Sequence, residues 1–108
     1  MFAWIVQRLT GLGLVLFIAM HLSSLKKITL SPEAFNHLME TYRSPLFKLA
    51  EIGLLAGVIF HGFNGARITT MDLGLESKKQ KRFFWMFFGA ALLAFAAGVL
   101  PIVLEVLE

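Results

Sequence analysis

An all-α membrane protein with three transmembrane helices is the fold this sequence predicts, and three observations carry it. The 108 residues are 57% hydrophobic and 16% charged, with a mean hydropathy of +0.75, whereas soluble domains run about 45–50% apolar and about 25% charged. Three apolar stretches, roughly 3–25, 45–70 and 83–104, each reach the length of roughly 20 residues that a helix needs to cross the hydrocarbon. Polar and charged residues collect between them, and residues 1–108 read as a single transmembrane domain. The chain has no cysteine, which excludes disulfides, cysteine-ligated zinc or iron–sulfur centres and covalent c-type haem. The formal charge is +3, yet the basic residues fall between apolar runs instead of lining a helix face. That distribution argues against a nucleic-acid partner.

The first span, Ala3 to Leu25, is interrupted by Gln7 and Arg8. It is too long for a signal peptide and lacks a cleavage-site pattern, so it is expected to stay in the mature protein. No Arg- and Ser-rich leader precedes it, and the expectation is a bacterial product of the cytoplasmic membrane. Ser31 as N-cap and Pro32 as first helical residue start a short helix at about 32–43, lying on the outer surface. Ser44-Pro45 restarts the chain as the second span. The second loop, Asp72 to Arg82, holds a turn at Gly74 and the basic residues Lys78, Lys79, Lys81 and Arg82. With Arg8 and Arg67, that side carries six basic residues against four (Lys26, Lys27, Arg43, Lys48) on the other, which predicts a cytoplasmic N-terminus. Glu105 and Glu108 then lie outside. Phe83, Phe84 and Trp85 mark the third span's entry as an interfacial aromatic belt. Within that span Ala90, Ala94 and Gly98 form a packing seam, and Pro101 is expected to bend the outer end.

Ionisable groups inside a span are costly and need a reason. Arg8 and Arg67 lie near the cytoplasmic ends, where snorkelling to the headgroups competes with a role in binding. His21 and His61 lie deeper, and either could simply hydrogen-bond to a neighbouring helix. Gly53, Gly57, His61 and Gly65 recur at four-residue spacing and so share one slowly drifting helix face. Such a seam lets another helix approach closely. An imidazole with no side chains above or below it also leaves room for a flat ligand, and b-type haem, usually held by an axial histidine, fits that description. Asn64, one turn beyond His61, and Arg67 could then contact a propionate.

Depth tests whether one iron could take both histidines. His21 lies thirteen residues beyond Arg8 and His61 six residues before Arg67, which places them about 20 and about 9 Å from the same edge. The difference of roughly 10 Å is too large for opposite axial positions on one metal. If both are ligands, there are two haems at two depths, and a partner chain supplies the second ligand of each.

At this point the residues resemble a known family, the cytochrome b membrane-anchor subunits of succinate dehydrogenase. Gln7-Arg8-Leu9-Thr10-Gly11 is similar to the family's first-helix motif. Phe60-His61-Gly62-Phe63-Asn64-Gly65-Ala66-Arg67, followed by Met71-Asp72-Leu73-Gly74, is similar to its second-helix signature. The resemblance covers about residues 4–74. It implies one half of a haem-binding bundle that a second anchor subunit completes, joined to an iron–sulfur subunit and a flavoprotein and delivering electrons to quinone. Under it His61 matches the axial haem ligand, and His21 resembles the ligand of two-haem anchors. Arg8 and Thr10 match residues near quinone, and Gln7, standing where many members have histidine, falls near the propionates. Trp4 stands where some members have a quinone-contacting serine, and that role is not carried over.

The leading expectation is therefore a subunit that is non-catalytic alone and binds haem b and quinone. A haem-free structural anchor, with both histidines in interhelical hydrogen bonds, is the alternative. A transporter subunit with Glu51 and the histidines as a proton relay is a third reading. It is disfavoured because Glu51 lies about 15 Å from His61 and pairs more simply with Lys48. The loop from Lys78 to Arg82 could dock the iron–sulfur partner, against the plainer reading of a solvated positive-inside loop.

Overall fold

The computed structural model describes residues 1–74 and 79–108. They form α1 (Phe2–Ile28), α2 (Pro32–Tyr42), α3 (Pro45–Asp72) and α4 (Gln80–Leu107), with no strand among the described residues. Three of the four helices are long and apolar enough to cross a membrane. At 27 or 28 residues they rise about 40 Å, so their ends project beyond the hydrocarbon. This explains why each starts or ends a few residues outside its apolar stretch.

The helix ends follow the local chemistry. Lys26 and Lys27 occupy the last turn of α1, where cations complement the helix dipole, and the Thr29 hydroxyl donates to the Lys26 carbonyl at 2.7 Å. Ser31 caps α2 by accepting the Ala34 N–H at 3.1 Å, with Pro32 in the first turn. Ser44 and Pro45 open α3 in the same positions, but without a side-chain cap bond. Beyond α3, Gly74 turns the chain at φ +85°, a conformation that favours glycine. The turn is closed by its N–H to the Met71 carbonyl at 3.0 Å. The helix α4 runs on through Pro101, although proline removes the helical donor to the Ala97 carbonyl. Lys78 lies outside the described residues.

The three long helices run up, down and up, with α3 packed on both α1 and α4. At one end Gln7 of α1 bonds to α3 at His61 and Asn64, and Arg67 of α3 lies over the Phe84 ring of α4. At the other end Lys48 joins Glu51 at 3.4 Å and Glu105 at 2.9 Å. The short helix α2 is fastened at that second end. Tyr42 and Ser24 share a 2.6 Å hydroxyl–hydroxyl bond, and the Tyr42 ring lies 5.4 Å from that of Phe47. The basic residues described in the second loop thus share an end with Arg8 and Arg67, and Lys26, Lys27, Arg43 and Lys48 share the opposite one.

Among the described residues no apolar side chain is buried, and only Asn64, at 6% exposure, falls inside. Helices that are apolar on every side face lipid or other chains, and close contact is left to small residues. On α4 that contact falls on Gly98, where a Cβ would lie 2.8 Å from Leu55 Cδ2. Of the other seam residues, Ala90 is exposed and Ala94 half-buried. The aromatic entry also divides: Trp85 is 59% exposed, whereas the half-buried Phe84 is engaged by Arg67. Because the atom in the way is the tip of a flexible side chain, Gly98→Ala should destabilise the α3–α4 contact by about 1 kcal/mol and Gly98→Val by more. Thermal unfolding of the purified complex, with Leu55→Ala expected to relieve the Gly98→Ala loss in a double-mutant cycle, checks this.

Candidate functional site

The N-terminal turns of α1 and the last turns of α3 meet through polar groups that neither helix satisfies alone. Gln7, Thr10 and Gly11 lie along one side of α1, spaced by three and four residues. His61, Asn64 and Gly65 do the same on α3. The Gln7 amide works in both directions: its Nε2 donates to the His61 carbonyl at 3.3 Å, and its Oε1 accepts from Asn64 Nδ2 at 3.0 Å. The Asn64 Oδ1 in turn accepts from Arg67 Nε at 3.1 Å. These bonds form an unbroken line from α1 through the buried amide to a guanidinium, which rests 5.2 Å from the centre of the Phe84 ring. Phe60, Phe63, Phe87, Phe88 and Ala91 line a small gap beside Asn64, Arg67 and Phe84.

The imidazole of His61 is set into the same contact. Its Nδ1 lies 3.2 Å from the Gln7 carbonyl and 3.2 Å from the Thr10 hydroxyl. Its Cε1 would be 3.1 Å from a Cβ at Gly11, so only glycine admits the ring this near to α1 without a neighbour shifting. Among the described residues Nε2 has no hydrogen bond. The half-buried histidine therefore has one nitrogen engaged by α1 and one left over.

The remaining candidates separate. His21 is exposed and stacks on Phe17, ring centres 5.3 Å apart. Because His61 lies level with Gly11, ten residues of α1 separate the two histidines in depth, about 15 Å of helical rise. That exceeds the roughly 10 Å estimated from span edges. Arg8 is exposed and sits over the Trp4 ring at 4.3 Å, whereas Thr10, two residues on, faces α3. The two residues expected near one quinone are thus on different faces of α1, as a two-residue helical spacing requires.

Several of the candidate residues have partners within the chain. The Thr10 hydroxyl is held by the Val6 carbonyl at 2.7 Å and by His61. Gln7 and Asn64, expected at a propionate, have their amides turned on each other, leaving the terminal guanidinium nitrogens of Arg67 for an outside anion. Gly65, expected to face a flat ligand, faces α1, since a Cβ there would lie 3.4 Å from Gln7 Nε2. Gly53 and Gly57 have open space where a Cβ would point. Sequence reasoning missed Gly11, whose place beside Thr10 in the first-helix motif was the available signal. It also missed Phe84, whose pairing with Arg67 across two helices left no trace in the sequence. Glu51 is exposed and paired with Lys48.

Together these features define a class: a helical membrane subunit whose polar residues gather at one α1–α3 contact around a histidine. The chain belongs to the succinate dehydrogenase/fumarate reductase transmembrane subunit family, whose pattern residues 1–98 match. It is 32% identical over 101 residues to the succinate dehydrogenase 2 membrane subunit SdhC of Mycobacterium tuberculosis, spanning 92% of this chain and 74% of that one. It is 33% identical over 86 residues to the succinate dehydrogenase hydrophobic membrane anchor subunit of Halobacterium salinarum, with 79% and 66% covered. The anchor subunit of Archaeoglobus fulgidus is 31% identical over 97 residues, with 90% and 83% covered. The protein is accordingly a membrane-anchor subunit, non-catalytic alone, and its partners are the other subunits of that complex.

Asn64 is the joint of the polar contact. Replacing it with leucine strands Gln7 Oε1 and the Arg67 Nε–H, and should destabilise the helix contact by about 1–3 kcal/mol. Asn64→Leu is therefore expected to lower the thermal midpoint of the detergent-purified complex more than Asn64→Gln. Equal midpoints for the two variants would contradict the role given to this amide.

Proposed function

We propose that this anchor binds two b-type haems between itself and a second anchor subunit, and takes part in passing electrons from the iron–sulfur subunit to quinone. One observation carries the reading. His61 makes its interhelical bond through Nδ1 alone, which leaves Nε2, the nitrogen that most often faces a metal when Nδ1 is held by a carbonyl. A purely structural histidine would have reason to engage both nitrogens. Among the described residues there is no cluster of three or more His, Cys, Asp or Glu. A porphyrin asks for no such cluster, because it brings four nitrogens of its own.

The residues present fit the group. His61 would be the axial ligand nearer the N-terminal end of α1, and His21 that of a second haem about 15 Å deeper. Gly53 and Gly57 leave open the face of α3 one and two turns before His61, where a planar molecule needs clearance. Arg67, fixed at Nε by Asn64, would offer its remaining nitrogens to a propionate. When bound, the haem supplies one-electron transfer within the membrane.

Arg8 belongs to quinone. Its guanidinium is stacked on Trp4 and exposed, a cation that can donate hydrogen bonds to a quinone carbonyl and stabilise charge developing on its oxygen. The membrane is the bacterial cytoplasmic membrane. The N-terminus and second loop face the cytoplasm, where the iron–sulfur and flavoprotein subunits dock against the basic side.

Removing each histidine tests the reading. In the purified complex His61→Ala should abolish one component of the reduced-minus-oxidised haem spectrum and His21→Ala the other, each with half the pyridine haemochrome. A wild-type complex without haem would leave the structural anchor as the answer, and an unchanged spectrum in His21→Ala would reduce the count to one. Arg8→Ala should raise the KM for quinone while leaving both haem components in place.

A further inference from the structure

We infer that Thr10 is a positioning residue for His61, holding its imidazole in the Nδ1–H form and thereby setting the electron-donating strength of Nε2. This rests on His61 being an iron ligand and says how α1 tunes it. The Gln7 carbonyl, 3.2 Å from Nδ1, can only accept a hydrogen bond, so that contact requires a proton on Nδ1. Thr10 has one hydroxyl proton and three neighbours. Its shortest contact is the Val6 carbonyl at 2.7 Å, with the Gln7 carbonyl at 3.1 Å, and both of these also can only accept. The proton therefore goes to the α1 backbone, and a lone pair of Oγ1 faces Nδ1 at 3.2 Å. The N–H of His61 is shared between a carbonyl and a hydroxyl of the same helical turn, and the opposite tautomer would lose the carbonyl contact.

The consequence is electronic as well as geometric. A proton held by two oxygens gives the ring partial imidazolate character, which makes Nε2 a stronger donor and favours the oxidised metal. Gly11 keeps this arrangement close, since a Cβ there would press on Cε1 at 3.1 Å. His21 has no such lock among its described contacts, having only the Phe17 ring beside it. The two histidines thus differ in donor strength because one sits inside the α1–α3 contact and the other outside it.

Redox titration of the whole purified complex separates the possibilities. Thr10→Val, which keeps the shape and removes the oxygen, should raise the midpoint potential of the His61-dependent haem and leave the His21-dependent one unmoved. Thr10→Ser should restore the wild-type value. In the wild type, nitrogen-15 histidine NMR with the haem in its diamagnetic ferrous state should show a protonated Nδ1 on His61. A His61-dependent haem whose potential is the same in Thr10→Val, or shifts equally with the other haem, overturns the inference, as does an unprotonated Nδ1. If His61→Ala retains the full haem spectrum, the ligand assignment beneath it is what fails.

Discussion

Within hydrocarbon a polar side chain finds no water, and whatever satisfies it must come from protein. Asn64 is the place where this constraint is felt most strongly, the one buried residue among those described. Its amide is answered on one side by Gln7 and on the other by Arg67. Because Gln7 also reaches the His61 carbonyl, satisfying Asn64 fixes the rotation of α3 against α1. The imidazole of His61 is then delivered to the carbonyl of Gln7 and the hydroxyl of Thr10. The site is in this sense a by-product of the helix contact, and the contact is polar because apolar packing has little to drive it in lipid.

The first helix divides its labour by face. Gln7, Thr10 and Gly11 turn inward, and each is shaped by the histidine opposite: an amide, a hydroxyl and an absence of side chain. Arg8, between them in sequence, turns outward over Trp4. A single turn of helix thus presents an amide and a hydroxyl to α3 on one face and a cation to its surroundings on the other. On α3 the division runs along the axis, with Asn64, Gly65 and Arg67 engaged near one end and Gly53 and Gly57 open toward the other. Lys48, Glu51 and Glu105 tie the far ends of α3 and α4 and take no part in the histidine contact.

A chain whose described residues bury no apolar side chain has put its hydrophobic surface on the outside. For a soluble protein that would be a failure of folding. For an anchor subunit it is the surface by which lipid and the other subunits of the complex are met, and the long helices' polar termini remain at the two membrane faces.

Much of this was legible in the residues. The number of spans, the cap at Ser31, the restart at Ser44-Pro45, the turn at Gly74, the pairing of Lys48 with Glu51, and the pair His61 and Arg67 on one helix all follow from local turn chemistry, periodicity, length and the scarcity of charge. These are local properties of a helix in a bilayer, and a bilayer allows little else. Roles that depend on which residue of one helix meets which of another were not legible. Thr10 reads from sequence as a quinone neighbour and Gln7 and Asn64 as propionate contacts, and the structure adds to each a partner more than fifty residues away. Gly65 reads as a clearance for a ligand and is a clearance for Gln7. By itself, then, the sequence determined that this is a three-span helical membrane protein with two histidines inside its spans that need a partner. Only the tertiary structure decided which nitrogen of His61 is engaged, because hydrogen bonds between helices depend on rotation and depth, which no periodicity encodes.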